Sequence, residues 1–245
     1  MQFLFHHYHR KSISRAGQGP PTLPADWPKE WKTIYYKSYQ NVPILPLTDI
    51  VPPAADFFAL SAKRASVRGG HGKGISVSDL SLMLKYSCGL QNKARRASGV
   101  KLRAQPSGGA RFPLEAYILS LKKENGVATG VYHYNVKKHG LDTLCVRDFS
   151  HEDIARLFTY PWSVDCSMAL IITAVFERSS PKYGERAYRF ALIEAGHIGQ
   201  GVYLAGESCG VGVTGMGGVR EEALHELLDI DGTQEALVYA LMLSK

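Results

Sequence analysis

Three short segments of the chain combine residue types that could bind an anionic or a flat ligand. The first holds Arg64, Ser66 and Arg68 at alternate positions. Alternate side chains of an extended segment point the same way, and two guanidinium groups beside a hydroxyl suit a phosphate or the edge of a pyrimidine-dione ring. Short basic segments are more often solvated surface, so this pattern alone is a weak indication.

The other two segments are rich in glycine. Pro106, Ser107, Gly108 and Gly109 form a loop sequence in which bare backbone can approach a ligand closely, although an ordinary turn has the same composition. Residues 210–218 contain five glycines in nine positions, which either leave backbone amides facing a ligand or merely connect two elements. Gly210, Gly212 and Gly215 have the spacing Gly-x-Gly-x-x-Gly, but a helix and not a strand is predicted to lead into them, so they do not form a dinucleotide-binding motif.

The composition is that of an ordinary globular protein with a basic balance. Of the 245 residues, 45% are hydrophobic and 21% are charged, and the formal net charge is +7. A positive balance fits an anionic ligand, an acidic macromolecule or a margin of solubility. The two short basic clusters, residues 93–96 and 137–138, lack the length of a nucleic-acid-binding tail. We therefore expect no nucleic-acid partner.

Nothing in the sequence indicates secretion, membrane insertion or a metal site. The N-terminus lacks a basic region followed by an apolar one, and the longest apolar stretch, residues 168–176, is too short to span a bilayer. The chain has four cysteines, Cys88, Cys145, Cys166 and Cys209. Without Cys-x-x-Cys spacing, they are expected to be buried free thiols in a reducing cytoplasm. His6, His7 and His9 lack a fourth ligand, so no metal is predicted.

The globular part mixes strands and helices without strict alternation. Predicted strands cover residues 115–122, 128–134, 141–147, 168–176 and 235–243. Predicted helices cover residues 80–88, 152–158, 186–207 and 221–228. Ser78 is the predicted cap of the first helix and Gly89 its end, Ser150 opens the second helix, and Asn125 with Gly126 indicates a hairpin turn. This order favours an α+β layered domain over a doubly wound sheet.

The N-terminal 54 residues differ in composition from the rest. They hold eight of the twelve prolines, and proline disfavours regular structure because it lacks an amide donor. They are also rich in aromatic residues, which are Trp27, Trp31, Tyr35, Tyr36 and Tyr39. A disordered linker is poor in aromatic residues. We therefore predict an ordered, extended arm over residues 1–54, laid over a domain of residues 55–245.

The long predicted helix is unusual in its glycine content. Four glycines lie within it, Gly196, Gly199, Gly201 and Gly206, and Gly210 ends it. Each interior glycine costs about 1 kcal/mol relative to alanine. Close packing would offset this cost, whether in a dimer interface, against a flat cofactor or within one subunit. His197 on the same helix is expected to be buried and hydrogen-bonded rather than catalytic.

In their order along the chain, the three ligand-binding segments resemble the nitroreductase-like FMN-binding superfamily, over about residues 55–245. The resemblance implies a central, mainly antiparallel sheet flanked by helices. It also implies a homodimer with FMN at the interface, because the chain holds only one set of motifs. The FMN contacts that it implies are Arg64, Ser66 and Arg68 on the phosphate and ring, Pro106, Ser107, Gly108 and Gly109 from the partner subunit, and Gly215, Met216, Gly217 and Gly218 along the flavin.

A narrower resemblance is to the SagB-type dehydrogenases, which oxidise azoline rings in modified peptides. It rests on residues 182–190, Lys-Tyr-Gly-Glu-Arg-Ala-Tyr-Arg-Phe, and on residues 194–200, Glu-Ala-Gly-His-Ile-Gly-Gln. It implies that Lys182 and Tyr183 are catalytic and that Gln200 contacts the cofactor. At the end of the chain, where the superfamily usually has a basic phosphate contact, Lys245 is the residue available for that role.

The implied reaction converts a thiazoline or oxazoline of a ribosomally made peptide to the azole. One C–H leaves as hydride to the flavin N5, and the other leaves as a proton that needs a base. A lysine accepts a proton only as the neutral amine, which burial near Arg186 would favour, and Tyr183 donates a hydrogen bond or relays the proton. By residue type alone, Lys182 after Pro181 is more often an exposed loop lysine.

Two other functions remain open from the sequence. A general NAD(P)H-dependent FMN reductase of nitroaromatic compounds or quinones would share the fold and the cofactor. A non-catalytic flavin-binding scaffold would instead dock on a cyclodehydratase complex and activate it, and that stimulation would survive Lys182→Ala. The sequence does not specify the peptide, the ring type, the electron acceptor or the surface that contacts a partner.

Overall fold

A seven-stranded sheet forms the centre of the molecule. The computed structural model describes residues 4–13, 23–70, 73–91 and 102–245. The strands are β1 (Ile44–Pro46), β2 (Leu114–Ser120), β3 (Gly130–Asn135), β4 (Gly140–Val146), β5 (Met168–Val175), β6 (Gly212–Gly215) and β7 (Glu235–Ser244). Their order in the sheet is β1-β4-β3-β2-β5-β7-β6, and every neighbouring pair is antiparallel. The predicted α+β class with a mainly antiparallel sheet is confirmed.

Helices cover both faces of this sheet. They are α1 (Leu4–Lys11), α2 (Lys29–Lys32), α3 (Phe57–Lys63), α4 (Val77–Cys88), α5 (His151–Leu157), α6 (Ser180–Tyr183), α7 (Arg186–Cys209) and α8 (Glu221–Leu228). On β2, Ala116 and Ile118 pack into the core beneath α4 and α7, whereas Tyr117 and Leu119 pack into the core beneath α5 and α8. Because successive strand residues point to opposite faces, the sheet is the middle of three layers.

The elements predicted for the globular part are confirmed, with ends shifted by at most three residues. One predicted cap is wrong. Helix α4 is capped by Ser76, whose hydroxyl accepts a hydrogen bond from the Asp79 N–H at 3.1 Å, and Ser78 lies inside the helix. A capping side chain must reach a free N–H two or three residues further on, and Ser76 meets this condition. Gly89 ends α4 and Ser150 caps α5, both as predicted.

The connection between β2 and β3 is a hairpin, but Asn125 does not act in it as a turn residue. Neither Asn125 nor Gly126 has a positive φ. The Asn125 side chain is buried and accepts from the Ile75 N–H at 3.0 Å, while its amide donates to the Ser167 carbonyl at 2.8 Å. The predicted hairpin is confirmed, and asparagine contributes to it by tying the loop to two other segments.

Helix α7 is the longest element of the described chain and ends at Gly210, which has a φ of 70°. A Cβ at Gly199 would overlap with the Tyr239 ring, one at Gly201 would press on Ser87, and one at Gly206 would overlap with the Val211 carbonyl. Packing within one subunit thus accounts for three of the four interior glycines. A Cβ at Gly196 would meet nothing, so this position faces open space.

His197 lies on the same open side of α7 as Gly196. Its side chain is exposed, so the predicted burial is wrong for the single chain. The reason is the position of the helix, which is buried on the side that carries Ala191, Ala195 and Ile198.

The N-terminal 54 residues are not uniformly extended. They include α1, α2 and β1, so the predicted lack of regular structure is wrong for these segments. Pro28 immediately precedes α2, where the missing amide donor has no cost because the first turn of a helix leaves its N–H groups unpaired. Pro20, Pro21 and the basic cluster at residues 93–96 lie outside the described residues.

The four cysteines are only partly as predicted. All four cysteines are free, and Cys88 and Cys166 are buried as predicted. Cys145 is exposed and Cys209 is half-buried, so the prediction is wrong for these two. Cys145 lies in the half of β4 that extends beyond the short strand β1.

No helix in the described part of the chain has the length and hydropathy needed to cross a membrane.

Candidate active site

Lys182 is buried in α6, immediately before the long helix. Its side chain is only 7% exposed, so the alternative of an exposed loop lysine is wrong. The Nζ atom lies 3.2 Å from the centre of the Trp27 ring and 5.8 Å from that of Trp31, both from the N-terminal arm. The face of an indole attracts a cation. The arm therefore supplies an aromatic cover for the amine.

The loop predicted to contact a ligand lies against Lys182 and Tyr183. Gly109 has a φ of 59°, and a Cβ there would overlap with the Tyr183 hydroxyl and stand 3.0 Å from the Lys182 Nζ atom. Gly108 packs on the ring of Phe190, which Tyr183 meets edge-on at 5.0 Å. Only glycine fits at position 109, because a side chain would be strained and would displace the tyrosine.

A cavity of about 340 Å³ opens beside the lysine. It is lined by Glu30, Trp31, Tyr35, Arg111, Val175, Glu177, Arg178, Pro181 and Lys182. The three basic side chains are buried and the two glutamates are exposed. The cavity therefore has a floor of basic side chains, aromatic and aliphatic walls and an acidic rim. Its volume is that of a small-molecule site.

Arg111 fixes the arm against this cavity. Its guanidinium donates to the carbonyls of Trp31 at 2.6 Å and Glu30 at 2.7 Å, and to the carbonyl of Arg178 at 2.8 Å. The first two carbonyls belong to α2, where the last turn leaves carbonyl groups without an intrahelical partner. Arg111 thus caps α2 and holds the tryptophan-bearing segment over Lys182.

The first and third predicted segments meet at a second cluster, near the other end of α7. Ser66 pairs with Val213 of β6, and the guanidinium of Arg64 lies 5.3 Å from the centre of the Tyr203 ring. The Tyr203 hydroxyl lies 3.1 Å from the Ser66 Oγ atom and accepts from the Gly215 N–H at 2.7 Å. Tyr203 therefore joins the arginine segment to the glycine-rich segment.

A second cavity, of about 280 Å³, lies next to this cluster. It is bounded by Gly69, Gly210, Gly212, Ser244 and Lys245, among others. The Ser244 Oγ atom is buried and has no hydrogen-bond partner among the described residues, while the Lys245 Nζ atom donates to Asp79 at 2.5 Å. A hydroxyl without a partner, a lysine and bare glycine backbone together fit a phosphate group.

Four other residues that were predicted to bind the cofactor differ in their exposure and surroundings. Arg68 and Gln200 are exposed, and neither side chain makes a hydrogen bond with a described residue. The side chain of Met216 is buried in the core beneath α8, so it does not face a cavity. At Gly218 a Cβ would overlap with the Thr159 hydroxyl, and packing alone explains that glycine.

The two remaining predicted positions have open surroundings. Pro106 is exposed at the start of the loop, and a Cβ added at Gly217 would meet no other atom. Both positions could therefore lie against a ligand without a change of the backbone.

The two clusters lie far apart within one chain. Phe190 marks the first and Tyr203 the second, and thirteen residues of α7 separate them, which corresponds to about 20 Å at 1.5 Å per residue. Between them α7 exposes Ile193, Gly196 and His197. The predicted cofactor residues thus form two partial sites on either side of an exposed helical face.

Behind the first cavity lies a buried network of charges. His133 contacts Glu115 at 2.9 Å and Asp142 at 3.1 Å, and Arg178 donates to Glu115. Burial acts to raise the pKa of Glu115, but the hydrogen bond from His133 and the charges of Arg103 and Arg178 hold it at about 2. Burial acts to lower the pKa of His133, but its two carboxylate partners raise it overall.

The sequence interpretation missed several residues at these two clusters. Trp27 and Trp31 were recognised only as parts of an arm, Arg111 and Glu194 stood in the predicted motifs without a role of their own, and Tyr203 was not singled out. The one available signal was spacing, because Phe190, Glu194 and Tyr203 lie on one helix within reach of the predicted loops. Contacts between the arm and the domain join residues about 150 positions apart, which no local pattern reveals.

Comparisons with characterised proteins agree with these features. The chain is 30% identical to a nitroreductase-named protein of Methanocaldococcus jannaschii over 69% of its own length and 81% of the relative. It is 31% identical to the trifolitoxin-processing protein TfxB of Rhizobium leguminosarum over 86% and 59% of the two chains. It is 30% identical to the microcin B17-processing protein McbC of Escherichia coli over 53% and 49%. The chain thus spans about half of the two processing proteins.

Solved structures show the same fold. A nitroreductase from Anabaena variabilis superposes with a TM-score of 0.75 at 27% identity, over 99% of this chain and 46% of that chain. A chain of the Escherichia coli microcin synthetase McbBCD complex, with truncated pro-MccB17 bound, superposes with a TM-score of 0.63 at 16% identity, over 99% and 91%. A nitroreductase of Exiguobacterium sibiricum in complex with FMN gives 0.53 at 12% identity, over 78% and 89%.

These likenesses extend over the whole region that carries the two clusters. The model of the nitroreductase family matches residues 62–245, which include β2 to β7 and the lining of the second cavity. The arm residues Glu30, Trp31 and Tyr35 of the first cavity lie outside this match. The chain therefore belongs to the nitroreductase family.

Proposed function

We propose that the chain is an FMN-dependent dehydrogenase of the SagB type, which oxidises thiazoline or oxazoline rings in ribosomally made peptides. The observation that carries the proposal is the burial of Lys182 beside Tyr183, between a glycine loop and an aromatic-walled cavity. A buried amine with a phenol next to it is suited to accept a proton from a bound substrate.

The residues of the second cluster fit the cofactor that this reaction needs. Arg64, Ser66, Ser244 and Lys245 would hold the FMN phosphate, and when bound the flavin supplies the hydride acceptor. Nitroreductase structures in complex with FMN support this assignment. Pro106 to Gly109 would contact the flavin ring.

Two chains would be needed to assemble one complete site. The two clusters lie about 20 Å apart along α7, and the exposed face between them carries the apolar side chain of Ile193, 52% exposed. A second copy packed on this face would bring its own loop to the first copy's arginine cluster. The relative from Anabaena variabilis, of which this chain covers 46%, has the length for two such units.

The proton would pass to Lys182, and the N-terminal arm would stabilise the protonated side chain. The Trp27 face favours the ammonium that forms when the amine accepts the proton. The Tyr183 hydroxyl, held beside Gly109, donates a hydrogen bond to the reacting ring or relays the proton. Trp31 and Tyr35 form aromatic walls of the cavity.

The relatives support a peptide as the substrate. TfxB and McbC are named for processing trifolitoxin and microcin B17, and the McbBCD complex holds a truncated pro-microcin. We infer that this chain likewise acts on a peptide together with a cyclodehydratase complex, rather than on free small molecules.

A visible absorption spectrum of the purified protein, followed by release of the cofactor on heating, tests the first requirement. Released FMN together with oxidation of an azoline peptide in air supports the proposal. A flavoprotein that oxidises NADPH with a nitro compound and leaves the peptide unchanged would be a general reductase. A protein that takes up no FMN would be no flavoenzyme.

We expect Gly109→Ala to reduce turnover by about 10²-fold, which is the usual cost of displacing a reacting group by about 1 Å. The added Cβ overlaps with the Tyr183 hydroxyl and stands 3.0 Å from the Lys182 Nζ atom. The measurement is kcat with an azoline peptide. Gly108→Ala adds a methyl group to the same loop without this overlap, because its Cβ meets only the Phe190 side chain, at 3.3 Å. Since the loop is also assigned to the flavin, kcat is compared per bound FMN in both variants. Equal losses in both variants would show that the position of Tyr183 is unimportant.

A further inference from the structure

Glu194 is a carboxyl group buried beneath the loop that touches Lys182 and Tyr183. It lies on α7 one turn after Phe190, on which Gly108 packs. Its side chain is 2% exposed. The reaction outlined above makes no use of it.

The carboxyl is attached to the loop at two points. The Gln105 Nε2 atom donates to the Glu194 Oε1 atom at 3.1 Å, and the Ser107 hydroxyl also lies against the carboxyl. Ser107 in turn accepts from the Phe112 N–H at 2.9 Å. The placement of Gly109 against Lys182 therefore depends on how Glu194 holds Gln105 and Ser107.

Two buried acceptors at this point, the Glu194 Oε2 and Gln105 Oε1 atoms, have no partner of hydrogen-bond geometry in the described part of the chain. The Ser107 hydroxyl beside the carboxyl is one donor, which does not serve both acceptors. A protonated carboxyl is itself a donor, so one proton on Glu194 supplies the second donor. The arrangement is thus completed by the neutral acid.

The groups around Glu194 act on its pKa in opposite directions. Burial raises its pKa to about 7, while hydrogen bonds from Ser107 and Gln105 act in the opposite direction. The charged groups that act on it are Arg103, before the loop, and Arg178, before α6, and both favour the carboxylate. The raised pKa therefore makes the neutral acid accessible near neutral pH.

We propose that Glu194 is a positioning residue, which in its neutral form holds the loop from Gln105 to Gly109 against Lys182 and Tyr183. Ionisation places a charge in a site that only the loop separates from solvent, since Ser107 is half-exposed and Gly108 is exposed. Hydration of that charge displaces the loop. The inference rests on the proposed function for its kinetic readout.

The pH profile of Glu194→Gln tests the proposal in the FMN-loaded protein. The amide is neutral at every pH, so the ratio of kcat in Glu194→Gln to kcat in the unmodified protein should be constant below neutrality and rise about tenfold per pH unit above it, as expected when one proton is lost from the active form. The titration of the proton acceptor is common to both proteins and cancels in this ratio. A ratio that stays constant with pH would overturn the proposal.

An infrared titration follows the carboxyl without any turnover. The C=O band of a buried carboxylic acid should vanish as the pH rises through about 7, and Glu194→Gln should lack it. Glu185→Gln, at an exposed position before the same helix, should keep it. Gln105→Leu removes a hydrogen bond that favours the carboxylate, so it should move the midpoint to higher pH. Absence of the band at low pH, or a midpoint that moves down in Gln105→Leu, would contradict the proposal.

Hydrogen exchange of the loop separates this inference from the proposed function. Amides of residues 105–109 should exchange faster in the unmodified protein than in Glu194→Gln above pH 7, and equally below it. If this holds while no azoline peptide is oxidised, the proposed function fails and the role of Glu194 in the loop stands. Equal exchange at every pH would overturn that role.

Discussion

Lys182→Met is expected to lower the turnover of an azoline peptide by about 10²-fold to 10⁴-fold, the usual contribution of a positioned proton acceptor. Methionine is flexible and apolar, so it should fill the space beneath Trp27 without disturbing the arm. FMN content should not change, because the residues assigned to the phosphate lie at the far end of α7. The measurements are kcat and the FMN released per chain.

The matched control for this variant is Lys137→Met. Lys137 also lies over an aromatic ring of the arm, at 4.9 Å from the centre of Tyr36, but it is exposed and does not line the cavity. Its loss should leave kcat unchanged. A Lys182→Met protein that retains full turnover would show that another group accepts the proton, and one that loses FMN would place Lys182 in cofactor binding instead.

Glu115→Gln is expected to lower the free energy of unfolding by about 3–5 kcal/mol, the usual cost of leaving buried charges uncompensated. Glu115 is 2% exposed and is the common partner of His133 and Arg178. The amide keeps the shape but removes the negative charge that these two cations face. Urea unfolding measures the difference, and Glu152→Gln, in an exposed pair with Arg156, should leave the midpoint unchanged.

The stability difference between the unmodified protein and Glu115→Gln should shrink as the pH falls. The pKa of Glu115 is about 2 in the folded chain, below its ordinary value of 4.5, so its stabilisation is complete above the ordinary value and is lost as the pH falls towards 2. The stabilities of the unmodified and variant proteins should therefore converge in acid. A difference that is constant between neutrality and acid would show that Glu115 acts through packing rather than charge.

The fold was largely predictable because its signals are local. The apolar run that became β5 and the serine before α5 each determine structure within a few residues. The exceptions are instructive. Asn125 was interpreted only as a turn residue, whereas its side chain makes buried hydrogen bonds to Ile75 and Ser167, which lie 50 and 42 positions away. Tertiary contacts of this kind leave no trace in local composition.

The candidate site was predictable only in part, for the same reason. The resemblance to a known family identified Lys182, Tyr183 and the glycine loop, and the structure brings these residues into contact. It could not indicate that Trp27 covers the lysine, because that contact depends on the path of the arm. The predicted flavin contact of Met216 rested on its position in a motif, whereas its side chain points into the core beneath α8.

The most direct test of the central claim is to mix the FMN-loaded protein with an azoline peptide in the absence of oxygen. If the peptide is the electron donor and Lys182 takes its proton, the visible flavin absorption should bleach as one azole forms per FMN, and Lys182→Met should show neither change. Bleaching that requires NADPH, with the peptide left unoxidised, would contradict the account and identify a general reductase.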